Sequence, residues 1–508
     1  MDYSRLSLLT MNLLLTCLIT ACQTLPNGES DASLNTAPLS PAVAQAVGTQ
    51  PEEQSDQIGV EQLPKLTSQL QLVVDNLSDP EPDLIGRMVS EFSLATPTNK
   101  RVTQELNWYR SHPGYIQRIQ ERAEPYLHFI LEEMDKRDIP GEIALLPAVE
   151  SAFRPFAYSP GRAAGMWQFI PSTGRYFGLK QNWWYDGRRD VVSSTRAALD
   201  YLKRLNKQFD GDWELALAAY NSGAGTVRNA IRRNKKRGKS TDFWSLKLPD
   251  ETSAYVPRLL ALSEVFRHPG DHGITLLKLP DEPYFTTIDI GSQLDLALAA
   301  EMADLPIQDL YLLNSGFNRW ATDPEGPHRL NLPLDKVEDF VAALEKMPPE
   351  QRLSWKRYKI KKGDSLSVIA RHHKTTAKLL RKINKLRGNN IRAGKYLLIP
   401  VSSKSLDHYV YSAEQRKANI QNRPRQGNKL FYVVKPGDSL WKIARNYNVS
   451  YRKLAKWNGM APSDPLKAGQ KLVIWTGRTV TADISPLDLQ PSGTQSSLHY
   501  RVRRGDSL

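Results

Sequence analysis

Glu150 closes a helical apolar pattern made by Ile143, Leu145, Leu146 and Val149, and Ser151 follows it at once. The chain then passes through a loop punctuated by Pro155, Pro160 and Gly161 and re-enters an apolar stretch at Met166-Trp167-Gln168-Phe169. A carboxyl group among apolar and aromatic neighbours is desolvated, which disfavours its charged form and raises its pKa. A carboxylic acid that keeps its proton near neutral pH can protonate a leaving oxygen, as cleavage of a glycosidic bond requires. A glutamate at a helix end can equally cap or form an ion pair, so this stretch alone does not fix the role.

Two further pieces come later in the chain. Ala218-Ala219-Tyr220-Asn221 closes an apolar helix that begins after Asp212, with Gly223 and Gly225 behind it. Glu251-Thr252 stands ahead of Tyr255-Val256. Glu150-Ser151, Gly165-Met166-Trp167-Gln168, AAYN and ETxxYV together resemble the four motifs of the family 1 (Slt-type) lytic transglycosylases, over a segment from about residue 100 to about 270. The resemblance implies a lysozyme-like all-α catalytic domain that cuts the MurNAc–GlcNAc β-1,4 bond of peptidoglycan, with no metal and no cofactor. It implies Glu150 as the catalytic acid and Tyr220 facing it. Ser159 and Gln168, nine and eighteen positions after Glu150, fall where the family has its sugar-binding serine and glutamine. Asn221 and Glu251 are further substrate-binding candidates, Glu251 as an ion-pair or substrate contact and not a base.

Ordinary glycosidases flank the bond with two carboxylates. Asp186, Asp190, Asp200, Asp212 and Glu214 are available here, but none lies in the four motifs. The resemblance implies that one carboxylate suffices: Glu150 protonates the glycosidic oxygen and then takes the proton of the C6 hydroxyl of the same MurNAc. That hydroxyl closes on C1 to leave a 1,6-anhydro end, so the enzyme would be a carbon–oxygen lyase acting on a polysaccharide. An intramolecular nucleophile has a high effective molarity, which is how a single group can be enough. Two alternatives remain open on the sequence: a muramidase that uses water and one of the other acids, and a non-catalytic peptidoglycan-binding protein.

The elements that must position these residues are helical. Arg118 to Arg137 carries Ile119, Tyr126, Phe129, Ile130 and Met134 at helical spacing. Ser193 or Ser194 is placed to cap a helix from Thr195 to Phe209, and Asp212 to cap the next. Trp183-Trp184-Tyr185 suits either stacking on sugar rings or a place in the core. The catalytic domain is expected over residues 81–275, and the chain as a whole is of the α+β multidomain class. Residues 276–345 carry Tyr284 to Ile290, a helical run from Leu294 to Met302, then Leu310 to Asn314 and a closing Leu330 to Leu334, a possible degenerate copy of the modules C-terminal to them.

Those modules are a repeat. Tyr358 to Leu366 (YKIKKGDSL) recurs as Tyr432 to Leu440 (YVVKPGDSL), and Asn384 and Asn458 keep the same offset of 74 as Gly363 and Gly437. Copies at 356–401 and 431–476, joined by a linker over 402–430, resemble LysM domains, small βααβ modules that bind N-acetylglucosamine-containing glycans. Residues 477–497 read as a second linker, and 498–508 as the opening of a third copy. From Lys356 to Trp475 there are 28 Lys/Arg against 5 Asp/Glu, a net of +23 in a chain whose total is +14. The partners this suggests are peptidoglycan strands with their anionic stem peptides, and membrane headgroups, rather than nucleic acid.

At the start, an apolar run from Leu6 to Ile19 and small residues precede Cys22. Residues 1–21 read as a lipoprotein signal peptide and Ile19-Thr20-Ala21-Cys22 resembles a lipobox, with Cys22 the lipidation site. Asp2 and the single Arg5 make a weak charge signal for export. Gln23 after the cysteine resembles sorting to the outer membrane, hence the periplasmic face of the outer membrane of a Gram-negative envelope. Residues 22–80 are rich in Ser, Thr, Ala, Gln and Pro, the composition of a flexible tether, within which Leu63 to Leu77 can form one amphipathic helix. Cys17 lies in the segment to be removed, so no disulfide or cysteine metal site can be built.

Overall fold

The computed structural model describes residues 83–477 and the two-residue strand 490–491. The expected signal peptide, Cys22, the expected tether with the helix suggested for Leu63–Leu77, and the expected opening of a third copy lie outside the described residues.

The first part is helical: α1 (Leu84–Ser90), α2 (Lys100–Arg110), α3 (Pro113–Asp135), α4 (Leu146–Ser151), α5 (Pro171–Tyr176), α6 (Val191–Gln208), α7 (Trp213–Ser222), α8 (Ala224–Lys235) and α9 (Asp250–Arg267). Capping groups set several starts. Asn99 accepts from the Arg101 and Val102 amides at the head of α2, and Asp212 from Leu215 N at the head of α7. Helix α3 begins at Pro113, five residues before the charged pattern, because proline at a first helical position loses no internal bond. Helix α6 begins earlier than the serines suggested. Asp190 is its cap, accepting from Ser193 N at 2.7 Å, and Ser193 and Ser194 lie in the first turn. Helix α9 carries Leu259, Leu260, Ala261 and Leu262 fully buried through the middle of one core that extends from Leu84 to Phe285.

Residues 285–345 form a small module: β1 (Phe285–Asp289), α10 (Leu296–Met302), α11 (Ile307–Leu313), β2 (Arg329–Pro333) and a trailing α12 (Val337–Glu345), with β1 and β2 antiparallel from Phe285 opposite Pro333 to Asp289 opposite Arg329. The first repeat copy, labelled LysM 1 for the resemblance noted above, has β3 (Ser354–Lys359), α13 (Leu366–His372), α14 (Ala377–Ile383) and β4 (Tyr396–Val401), and the second is labelled LysM 2. After helix α15 (Ala413–Asn422), LysM 2 repeats the plan with β5 (Asn428–Val433), α16 (Leu440–Asn446), α17 (Tyr451–Trp457) and β6 (Lys471–Thr476), and β7 (Gln490–Pro491) adds to β5.

One side chain recurs at the centre of all three modules. Asn384 donates to Leu380 O and Leu398 O and accepts from Leu398 N. Asn458 does the same with Leu454 O, Val473 O and Val473 N, and Asn314 with Leu310 O, Asn331 O and Asn331 N. The amide thus ties the end of the second helix to the last strand.

Two expectations change. The stretch 402–430 is no free linker: it folds as α15, capped by Ser412, and buries Tyr409, whose hydroxyl bonds Asp295 at 2.9 Å. Within Trp183-Trp184-Tyr185, the last two are buried in the core shared with the module at 285–345, and Trp183 lies under Arg319 at 3.9 Å. This triplet is packing material between domains.

Candidate active site

Glu150 is the penultimate residue of α4. Ala152 and Phe153, both at positive φ, turn the chain sharply away, so the helix ends at the carboxylate. Ser151 fastens that end. Its hydroxyl donates to Met166 O at 3.0 Å and to Pro147 O at 3.2 Å, and accepts from Arg154 N at 3.2 Å. The GMWQ segment is therefore held against α4. Gly165 is required there: at φ +86°, a Cβ would lie 2.0 Å from Arg188 O. Arg188, paired with Asp186 at 2.8 Å, donates to Arg162 O and Phe169 O and closes the loop from its far side.

Tyr255, reaching in from α9, donates its hydroxyl to Glu150 Oε1 across 105 positions of sequence. Glu150 keeps part of its surface accessible, yet its carboxyl is pushed up to about 7. Desolvation is the main cause and the Glu251 charge adds to it, while the bond from Tyr255 opposes both. Burial also raises the Glu142 carboxyl, against its backbone hydrogen bonds and Arg267, but this group accepts from the Ser93 and Leu94 amides and pairs with Arg267, so it is occupied as a structural acceptor.

Tyr220, half-buried at the end of α7, donates to Trp167 O at 2.8 Å. Burial and then the Glu150 charge hold its phenol well above the ordinary range, which places it in the same electrostatic neighbourhood as the acid without bonding it. Trp167 is fully buried and anchored by Thr195 Oγ1 at 2.9 Å. Asn221 accepts from Thr252 Oγ1 at 2.8 Å and hydrogen-bonds Glu251, whose carboxyl burial raises against the opposing effects of Asn221 and Arg258. Gln168, at φ +49°, turns its amide back to Gly165 O at 2.7 Å. Ser159 sits in a tight turn, its Oγ accepting from Ala163 N at 3.0 Å. Neither of these last two bonds Glu150. The fold thus brings Glu150, Tyr220, Asn221 and Glu251 together, with Gln168 and Ser159 on the loop that leads away.

The other acids are committed elsewhere. Burial raises Asp186, but Arg189 and Arg188 outweigh it and hold the carboxyl below the usual range. Asp190 and Asp212 cap helices, Asp200 pairs with Arg137 at 2.7 Å, and Glu214 accepts from Trp244 Nε1 at 2.9 Å. Among the described residues no group of His, Cys, Asp and Glu could hold a metal ion.

Comparison with known proteins assigns families to three stretches of the chain. The family described as "Transglycosylase SLT domain" matches residues 129–243, "LysM domain" matches 358–400 and 432–475, and "Lytic transglycosylase MltD, LysM-like domain" matches 284–349. Membrane-bound lytic murein transglycosylase D of Escherichia coli K12 is 38% identical over 422 residues, 81% of this chain and 90% of the relative. The chain belongs to the membrane-bound lytic murein transglycosylase D family. A putative tributyltin chloride resistance protein of Alteromonas is 48% identical over 122 residues, 24% of this chain and 59% of that protein. Among solved structures, the 70 kDa soluble lytic transglycosylase SLT70 of E. coli is 20% identical, covering 34% of this chain and 32% of that one at a TM-score of 0.24.

Tyr255 has no role assigned by the motif pattern. It stood inside the ETxxYV string, and only the packing of α9 against α4 shows what its hydroxyl touches.

Proposed function

We infer that this chain cuts peptidoglycan glycan strands by lytic transglycosylation, with Glu150 as the single catalytic carboxylate. The observation that carries the reading is a desolvated carboxyl raised to about 7, beside a set of other acids already engaged in caps and ion pairs. Near neutral pH a substantial fraction of Glu150 is protonated and can deliver its proton to the glycosidic oxygen between MurNAc and GlcNAc. The C1–O bond breaks, and the resulting carboxylate accepts the C6 hydroxyl proton as O6 bonds C1. The 1,6-anhydro product forms and Glu150 regains its proton, with no water consumed. Glu251, half-buried and acting on Glu150 through its charge, disfavours the ionised acid before the reaction starts. Ser159, whose oxygen already accepts from Ala163, has its proton to offer a sugar; Gln168, Tyr220 and Asn221 line the approach.

Product mass tests the reaction class: carbon–oxygen lyase chemistry gives anhydromuropeptides from purified peptidoglycan. Fragments heavier by one water, with reducing muramic ends, would assign the enzyme as a muramidase instead.

The LysM modules hold the enzyme on the polymer, their basic surface facing anionic stem peptides. Lipidation of Cys22 places it at the periplasmic face of the outer membrane; no helix of the described residues is long and apolar enough to cross a membrane. Fatty-acid labelling of the wild type and Cys22→Ala checks the anchor, and an unlabelled wild type would reject it.

A further inference from the structure

Asp464 lies in LysM 2, in the loop between α17 and β6, yet its side chain reaches the catalytic domain. Its Oδ1 pairs with Arg162 Nε at 2.9 Å, and Tyr158 donates its hydroxyl to Oδ2 at 3.1 Å. Within its own loop, Oδ2 also accepts from Ala461 N at 2.8 Å. Tyr158 and Arg162 flank Ser159 in the turn that comes after Glu150. That turn is closed by Ser159 N to Ala163 O at 2.9 Å and Arg162 N to Ser159 O at 2.9 Å. From the inner side it is held by Arg188, which donates to Arg162 O at 2.7 Å. On the outer side Asp464 is the only carboxylate bonded to it among the described residues.

A second grip lies a few residues upstream. Phe156 stacks on Tyr411 at 4.7 Å with the rings 14° apart, and Arg416 of α15 sits 4.8 Å from the Phe156 ring. Helix α15 is itself fixed to the module at 285–345, with Ala413 N donating to Asn318 O at 2.8 Å. The segment of Tyr411 and α15, and LysM 2, therefore both contact the loop that begins just after the acid. LysM 1 has no such carboxylate: offsets of 74 and 75 both place an asparagine, Asn390 or Asn389, where LysM 2 has Asp464. The acid occurs in the copy that meets the catalytic domain.

We propose that Asp464 is a positioning residue for catalysis, setting the Ser159 turn through Arg162 and Tyr158 so that LysM 2 completes the wall of the active site. The proposal rests on the transglycosylase reading for the role of that turn. It gives LysM 2 a function on substrates too short to need tethering, which a binding module on a flexible linker would not have.

The test is a double-mutant cycle in the full chain, reading kcat and KM for total bond cleavage of short, soluble, uncrosslinked glycan strands. Asp464→Asn keeps an oxygen for Ala461 N but removes the charge; Arg162→Gln removes the partner without touching LysM 2. Each should lower kcat about three- to fivefold, the size of a partly exposed ion pair, with KM changed less. The double variant should be no slower than the slower single, because one interaction is lost in all three. About 0.5 M salt should slow the wild type towards the variants and leave the variants unmoved. A kcat within 1.5-fold of wild type for either single, or losses that multiply in the double, would overturn the proposal. Arg162→Gln keeps the test decisive if Asp464→Asn disturbs its own module. Product mass is scored separately, so a failed transglycosylase reading shows as hydrated products whatever the cycle gives.

Discussion

The catalytic domain and the LysM modules are held together by different means. The helical domain has one extended core, from Leu84 through α9 to Phe285, and its polar site is set into the wall of that core. Each LysM module is built round a small apolar core, a cluster of seven buried side chains in LysM 1 and ten in LysM 2. Cores that small supply little stability, and a single asparagine takes up the load by joining helix to strand. In the domain, chemistry depends on groups brought from far apart, and stability is spread over many side chains. In the modules, integrity is concentrated in one polar residue. Substitutions should therefore separate activity from stability in the first region and fail to do so in the second.

The largest expected effect is on activity alone. Glu150→Gln keeps the volume and removes the transferable proton, so turnover on peptidoglycan should fall by about 10²–10⁴-fold, the usual worth of such a proton transfer. Thermal unfolding of the domain should not be lowered, because the native acid is itself destabilised by desolvation. Turnover within about tenfold of the parent would remove Glu150 from the acid role.

The converse case comes next in size. Asn458 is 1% exposed and, besides accepting from Gln421 Nε2 of α15 at 2.7 Å, makes three hydrogen bonds within its own module, so Asn458→Ala leaves buried backbone groups unpaired and should cost LysM 2 about 2–4 kcal/mol. Asn384 makes the same three bonds from a more exposed place, where water can replace them, and Asn384→Ala should cost LysM 1 about 1 kcal/mol. Hydrogen exchange of the β5/β6 and β3/β4 amides reads the two modules separately. Equal losses would mean that burial is not what distinguishes the copies. Catalytic turnover on short strands should fall with Asn458→Ala by no more than the Asp464 contact accounts for, and should not fall with Asn384→Ala.

The same contrast explains what could be read from the chain. Asn384 and Asn458 were visible because a repeat displays its own necessary residues, and Asn314 fits the pattern once the module around it is seen. The α7 cap at Asp212 was local and legible. Asp190 displaced the two serines as the α6 cap because a carboxylate one turn earlier already satisfied the Ser193 amide, a choice that spacing alone leaves open. Helix α15 was hidden because its sequence, AEQRKANIQN, has no apolar stripe; it is ordered by contacts at its start, the buried Tyr409 and Arg416 over Phe156, that come from other domains. The four motifs named candidates, of which the fold brings Glu150, Tyr220, Asn221 and Glu251 together. They did not give the wiring of the site, since which tyrosine bonds the acid depends on how α9 crosses α4.

Tyr255 tests that wiring with the smallest effect. Its hydroxyl bond to Glu150 favours the ionised carboxylate and so works against the desolvation that raises the acid to about 7. Tyr255→Phe removes the donor and keeps the ring, leaving the carboxyl with desolvation and the Glu251 charge, both of which favour the proton. The folded-state pKa should therefore move further up, and the alkaline limb of kcat/KM should move to higher pH with it. The plateau should drop by no more than about tenfold, through looser aim of the carboxyl. On the proposed mechanism Glu150 donates before it accepts, so the variant should lose proportionally less than the wild type as pH is raised from 7 to 9. A Tyr220→Phe variant provides the control: Tyr220 bonds Trp167 O and not the acid, so its limb should stay where the wild type has it. An unmoved limb in Tyr255→Phe, or an equal shift in both, would mean that the bond across the α4–α9 contact does not set the proton affinity of Glu150.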